Sequence, residues 1–209
     1  MPVMKKVILS FAAAAIALAC SDPVCDVEVI PIQDNANPRL MPRALFVEAP
    51  DDLFEKLGLQ DGIPSSVCAF LVKTEGKNIY INKVEYDAWM AMSEEQNKSL
   101  TTISQAYADR LKVFSLDDTL PCGVKAIAAY GHTPGHTVYR VGDALIVGDI
   151  MHGVALQLEY PQYCARFDAD HEQSIKVRKE ILQMGKDNGL TLYGMHFPAP
   201  YFIHLTARH

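Results

Sequence analysis

The hexapeptide Gly131-His132-Thr133-Pro134-Gly135-His136 sets two imidazoles four residues apart. On a helix that spacing would put both rings on one face, but Pro134 and Gly135 forbid a helix there. The preceding run 124–130 is apolar, so the histidines belong to a loop at a strand end, a common place for chemistry. Two further polar groups emerge in the same way, Asp149 after the apolar run 144–147 and His196 after the run 190–195. His136, Asp149 and His196 offer imidazole nitrogen and carboxylate oxygen, the donor types that a zinc-class ion takes. Gly148 and Gly194 let the backbone turn beside Asp149 and His196. Each residue alone is more readily explained by a hydrogen bond that holds a strand end; the three together point toward a metal site.

The elements that must position these groups read as a mixed α/β chain of the α+β type. Runs 67–73 and 78–82, separated by Glu75-Gly76, read as an antiparallel pair. Helices are expected over 51–57, capped by Asp51 or Asp52 and ended by Gly58, over 83–92, and over 99–112, where Ile103, Tyr107 and Leu111 recur every four residues. A short strand is expected over 113–116, and the strand 124–130 leads into the histidine turn. Runs 137–141 and 144–147, joined by Gly142-Asp143, form a hairpin. The longest helix starts after Asp170, with Gln173 in the capping-box position, and stops at Asn188-Gly189. The run 190–195 is a last strand that delivers His196. The segment 20–50 is rich in Pro and Asn and reads as a tether and lead-in with short apolar pieces.

At 209 residues with a formal net charge of −6, the chain can bury a core and lacks the basic clusters that nucleic acid would require. Lys5 and Lys6 precede an apolar, alanine-rich run over 7–19 that is too short for a comfortable membrane span. Residues 1–19 are therefore expected to be an export signal, 20–50 a tether, and 51–209 the domain. Cys20-Ser21-Asp22-Pro23 resembles a bacterial lipobox, with Ala17 where leucine is usual, so a lipid on Cys20 would hold an exported, periplasmic protein at a membrane surface. An oxidising compartment permits disulfides, but Cys25, Cys68, Cys122 and Cys164 show no metal-like pairing and are expected as buried or free thiols.

The GHTPGH turn, then Gly148-Asp149, then Gly194-Met195-His196-Phe197-Pro198 resemble the C-terminal half of a metallo-β-lactamase-fold hydrolase, over residues 67–205. The resemblance implies an αββα sandwich with a two-zinc site at one edge, acting on a small-molecule ester, lactone, amide or thioester. By that resemblance His136 is the third histidine of the first metal site, Asp149 the catalytic carboxylate that bridges both metals, and His196 the last histidine of the second. His132 is implied as a support of the turn, and His152, Asp168 and His204 as groups on the substrate side or behind the ligands.

One part of the family pattern has no counterpart. The H-x-H-x-D-H motif is missing, since all seven histidines lie at or beyond His132, and so is the Asp-Thr-Gly turn before it. The stretches that flank that segment in the family are joined at about Asn78, as by an internal deletion, and residues 206–209 stop short of an expected closing strand. Three protein donors suit one zinc ion at most, not two. The expectation is a hydrolase impaired by the lost ligands; the alternative is a non-catalytic exported lipoprotein that retains a degenerate fold of this type.

Overall fold

Strands buried on both faces in the C-terminal half build the main sheet. The computed structural model describes residues 16–18, 28–33, 39–73 and 78–206. Strands appear in the order β1 (Ile16–Leu18), β2 (Glu28–Gln33), β3 (Arg39–Met41), β4 (Ile63–Ser65), β5 (Cys68–Lys73), β6 (Asn78–Asn82), β7 (Leu111–Phe114), β8 (Lys125–Ala128), β9 (Thr137–Val141), β10 (Ala144–Gly148), β11 (Thr191–Gly194) and β12 (Phe202–His204). The helices are α1 (Asp51–Lys56), α2 (Lys83–Met90), α3 (Glu94–Ala106), α4 (Val154–Gln157) and α5 (His171–Asn188).

The five-stranded sheet runs β12-β11-β10-β9-β8, with β10 and β11 parallel and the other pairs antiparallel. Val138, Leu145, Val147 and Leu192 point to one face, where Val177, Ile181 and Leu182 of α5 cover them. Tyr139, Val141 and Ile146 point to the other, against Phe114, Leu120 and Val124, with Val29, Phe70 and Tyr80 of the N-terminal strands packed on them. Each buried aliphatic side chain contributes roughly 1.5–3 kcal/mol, so the layering follows from the period-two pattern. A third cluster joins Met41, Phe46, Phe54 and Ile63 to Leu156 of α4.

Helix α5 begins as expected. The Asp170 side chain accepts the Gln173 N–H, and Gly189 closes the helix in the left-handed conformation at φ 61°. The Gly142-Asp143 hairpin also forms, with Gly142 at φ 56°. Helix α3 differs from its expected span of 99–112: a capping box between Ser93 and Gln96 starts it earlier, and Leu111 leaves it for β7. The local cap outweighs the four-residue apolar spacing that suggested a longer helix.

Strands β5 and β6 do not pair with each other as expected. β5 takes β2 as its antiparallel partner, and β6 takes β1 on one side and β7, in parallel, on the other. Ile16–Leu18, which falls in the run expected as an export signal, thus supplies backbone partners along β6 and lies beside β5. The N-terminal strands form one three-stranded and two two-stranded sheets. A short strand not expected from the sequence, β12, pairs antiparallel with β11 and ends the sheet. Cys68 and Cys164 are free and buried, whereas Cys122 is disulfide-bonded, contrary to the expectation of thiols throughout. Cys20, where a lipid was expected, and Cys25 lie outside the described residues, and Asn78, near the expected junction, opens β6. Among the described residues no helix is long and apolar enough to cross a membrane.

Leu145 is fully buried in the central strand and Val113 is 43% exposed. Leu145→Ala is expected to cost about 2–5 kcal/mol, and Val113→Ala within about 0.5 kcal/mol. Urea unfolding of both variants checks the placement of the core.

Candidate metal centre

Asp149 leaves the core where the β10–β11 ladder shifts register between Ile146 and Gly148. Gly148 sits at φ 56°, a conformation that favours a residue without Cβ, and the chain turns the Asp149 side chain inward. Asp149 is 1% exposed, yet neither carboxylate oxygen has a well-formed hydrogen bond. Imidazoles surround it instead. His196 Nε2 lies 3.0 Å from Oδ1, His152 Nε2 4.0 Å from the same oxygen, and His132 Nε2 3.7 Å from Oδ2. Burial pushes the Asp149 carboxyl up, but contact with His196 and the charges of His196, His152 and His132 outweigh it and hold the group well below the usual carboxylate range.

Each ring is aimed by a second contact. The His196 Nδ1 pairs with the Ser66 carbonyl at 2.9 Å. His132 Nδ1 lies 2.8 Å from Asp168 Oδ1, and Asp168 Oδ2 accepts from Arg178 Nη2 at 3.3 Å. His152 is held by packing, its ring centroid 4.9 Å from His132, 5.0 Å from His196 and 4.7 Å from Phe167. Burial pushes His152 down to about 3, which leaves the neutral imidazole that metal ligation requires. Burial also opposes charge on His196, but the contact with Asp149 outweighs it and raises that imidazole above its ordinary value.

The two histidines of the turn face different partners. His132, expected as a support, faces the Asp149 carboxylate. His136, expected as a ligand, is buried and its Nε2 accepts the backbone N–H of Asp149 at 3.1 Å. The reason is the turn itself: Ala129 N–H donates to the His136 carbonyl, so His136 already belongs to the ladder of β9, while His132 stands at the open end of the loop. Burial depresses the His136 imidazole. His204 lies apart on β12, exposed and 3.0 Å from Thr191 Oγ1.

Donor atoms of Asp149, His152 and His196 all lie within 4.8 Å of one another, and those of His132, His152 and Asp168 do so as well. Donors of a tetrahedral zinc ion sit about 3.3–3.5 Å apart, and the 3.0, 3.7 and 4.0 Å from the Asp149 oxygens to His196, His132 and His152 bracket that spacing. The buried, unpartnered oxygens of Asp149 and the N and O donor types fit one such ion. His152 stands at the centre of the cluster. A sequence signal for it existed, as the polar residue of Ile150-Met151-His152-Gly153, three positions after the carboxylate.

The N-terminal half clamps the turn. Glu85 Oε2 accepts the Gly135 N–H at 2.9 Å while Glu85 Oε1 accepts the Trp89 indole N–H at 2.6 Å. Asn82 donates from Nδ2 to Thr137 Oγ1 at 2.8 Å and caps α2 by accepting the Val84 N–H. A Cβ on Gly135 would fall 2.1 Å from the Glu85 backbone nitrogen, whereas one on Gly142 would meet nothing within 4 Å. Gly135→Ala must therefore part α2 from the turn, at about 1–3 kcal/mol or more. Gly142→Ala costs only its left-handed strain, about 1–2 kcal/mol. Chemical denaturation should rank the two in that order.

No protein-family model and no curated protein matches the sequence. Solved structures do. The hydrolase AbOPH of the beta-lactamase superfamily superposes with a TM-score of 0.69 at 21% identity, covering 98% of this chain and 95% of that one. The dizinc quorum-quenching lactonase AidC, solved with its product N-hexanoyl-L-homoserine, gives 0.66 at 16% identity, over 88% of this chain and 95% of that one. A protein described as a probable metal-dependent hydrolase from Staphylococcus aureus gives 0.61 at 14% identity, over 82% and 89%. With the α5-covered sheet, the strand-end histidines and Asp149 in place, these superpositions show that the chain has the metallo-β-lactamase fold.

Proposed function

We propose that the protein is a metal-dependent hydrolase that binds one zinc-class ion and acts on an ester, lactone, amide or thioester. Asp149, His152 and His196 would hold the ion, with His132 beside them across the second carboxylate oxygen. The observation that carries this reading is the Asp149 carboxylate, buried among three imidazoles with no proper hydrogen-bond donor to either oxygen. Removing a carboxylate from water costs several kcal/mol unless charge or donors replace the water. A bound ion would supply that charge, polarise a scissile carbonyl and acidify a water.

The chain's own residues do the positioning. With Nδ1 against the Ser66 carbonyl, His196 presents Nε2 to Asp149. Phe167, 48% exposed, sets its ring edge-on to His152 and gives the approach an apolar wall suited to the hydrocarbon part of an acyl substrate. Lactone hydrolysis by AidC and hydrolase descriptions of the other two structures support this reaction class. Export, with a lipid on Cys20 at a membrane surface, is proposed on the sequence alone.

A second reading is favoured by one observation: no histidine precedes His132, so every imidazole comes from one half of the chain. On that reading the fold keeps an ion or a ligand without turnover.

Metal analysis of the purified protein is expected to find about one zinc per chain after loading. Zinc at a hundredfold excess over its Kd should raise stability by about 2.7 kcal/mol. Asp149→Asn and His196→Ala should abolish that gain. His136→Ala should keep it, while costing about 1–3 kcal/mol because the Asp149 N–H loses its acceptor. Hydrolysis of a panel of acyl lactones, aryl esters and thioesters by the loaded protein separates the two readings: rates no greater than buffer with zinc bound would sink the hydrolase.

A further inference from the structure

We infer that Asp168 and Arg178 are positioning residues that fix the tautomer and the aim of His132, and that Asp168 is not itself a donor to the ion. The inference deepens the proposed metal site and rests on it for its consequence, though not for its geometry.

Asp168 is buried, with Oδ1 2.8 Å from His132 Nδ1 and Oδ2 3.3 Å from Arg178 Nη2. A carboxylate can only accept, so the proton of this contact belongs to His132 Nδ1. The lone pair of a neutral His132 then sits on Nε2, 3.7 Å from Asp149 Oδ2. Two acceptors facing each other across that distance leave the place of a cation between them. Asp168 is placed as the acceptor, with Oδ2 on the buried Arg178 guanidinium while Oδ1 faces His132.

Arg178 makes the arrangement rigid. It is 1% exposed, and besides Asp168 it donates from Nε to the Ile150 carbonyl and from Nη1 to the Pro161 and Tyr163 carbonyls. Three backbone carbonyls therefore fix the guanidinium, and the guanidinium fixes Asp168. The same segment carries His152, so one side chain of α5 locks the loop of one imidazole and the orienting partner of another. The backbone is tied as well. Ala169 N–H donates to the His132 carbonyl at 3.1 Å and Asp170 N–H to that of Gly131 at 2.8 Å, so the start of α5 holds His132 by main chain and side chain.

The competing reading takes His132, His152 and Asp168 as a second donor set, since their ligand atoms lie within 4.8 Å of one another. Against it, both Asp168 oxygens already accept, whereas neither oxygen of Asp149 does. His132 also spends Nδ1 on Asp168. A carboxylate on the far nitrogen of an imidazole is the usual outer partner of a ligating histidine, and it both aims the ring and raises its basicity.

The test uses the full chain. Long-range proton–nitrogen NMR of the imidazoles, with His132 assigned by its loss in His132→Gln, is expected to show the Nδ1–H tautomer in the wild-type protein before any zinc is added. Asp168→Asn should disturb that tautomer and weaken zinc binding, measured by competition with a chromophoric chelator, by about 10- to 100-fold. Leu145→Ala, destabilised away from the site, should leave zinc affinity unchanged and so separates positioning from loss of stability. A wild-type His132 in the Nε2–H form, or Asp168→Asn binding zinc as tightly as wild type, would overturn the inference. Should Asp168→Asn fail to fold, the wild-type tautomer still decides it. An Nδ1–H tautomer in a protein that takes up no zinc would support the orienting pair and reject the metal site.

Discussion

A carboxylate kept from water must find its compensation inside the protein, and Asp149 is where that requirement is most severe. Its environment contains imidazole on three sides and almost nothing else polar. The surrounding structure can be derived from that need. Gly148 turns the strand end inward, the Asp149 N–H finds an acceptor in His136 Nε2, and the remaining rings are each held on the nitrogen that does not face the carboxylate or are packed in place. Contact with Asp149 at 3.0 Å raises the His196 imidazole above its ordinary value, whereas burial lowers that of His152. The same geometry therefore accommodates either an imidazolium or a metal cation as the counter-charge.

The two halves of the chain meet at this site although their sheets are separate. Residues from the end of β4 to the start of β5 run along the segment that carries His196: Ser65 Oγ donates to the His196 carbonyl, Ser66 Oγ to that of Phe197, and Cys68 Sγ to that of Met195. Burial pushes the Cys68 thiol up to about 11, so it serves there as a weak donor and a small apolar body. On the other side Glu85 and Asn82 hold the histidine turn. The contribution of the N-terminal half to the described site is thus scaffolding, while the imidazoles and the carboxylate come from the C-terminal half.

The sequence carried most of the C-terminal half. The hairpin at Gly142-Asp143, the cap of α5 at Asp170 and its stop at Gly189 are local features, decided by residues that touch one another, and they formed where local chemistry placed them. Asp149 and His196 were legible for the same reason, each at the end of an apolar run. What was not legible was long-range. Nothing local distinguishes His132 from His136, because the difference lies in Asp168, 36 residues from His132, and in the Asp149 N–H, 13 residues from His136. The partners of β5 and β6 were likewise hidden, since an apolar run separated from another by a glycine-bearing break reads as a hairpin until a third strand competes for the edge.

That competition bears on how the N-terminal half is held. Strand edges leave backbone N–H and C=O groups in need of partners. Here the lead-in supplies them along β5 through β2, while β7 pairs with β6 in parallel. The β2 partner lies before residue 34, whereas the residues that hold His196 and the turn begin at Ser65. Closing the sheet and shaping the site are consequently tasks of different stretches. The C-terminal sheet with α5 buries its own core on one face and carries the candidate donors on its strand ends, so the geometry around Asp149 follows from the elements of that half.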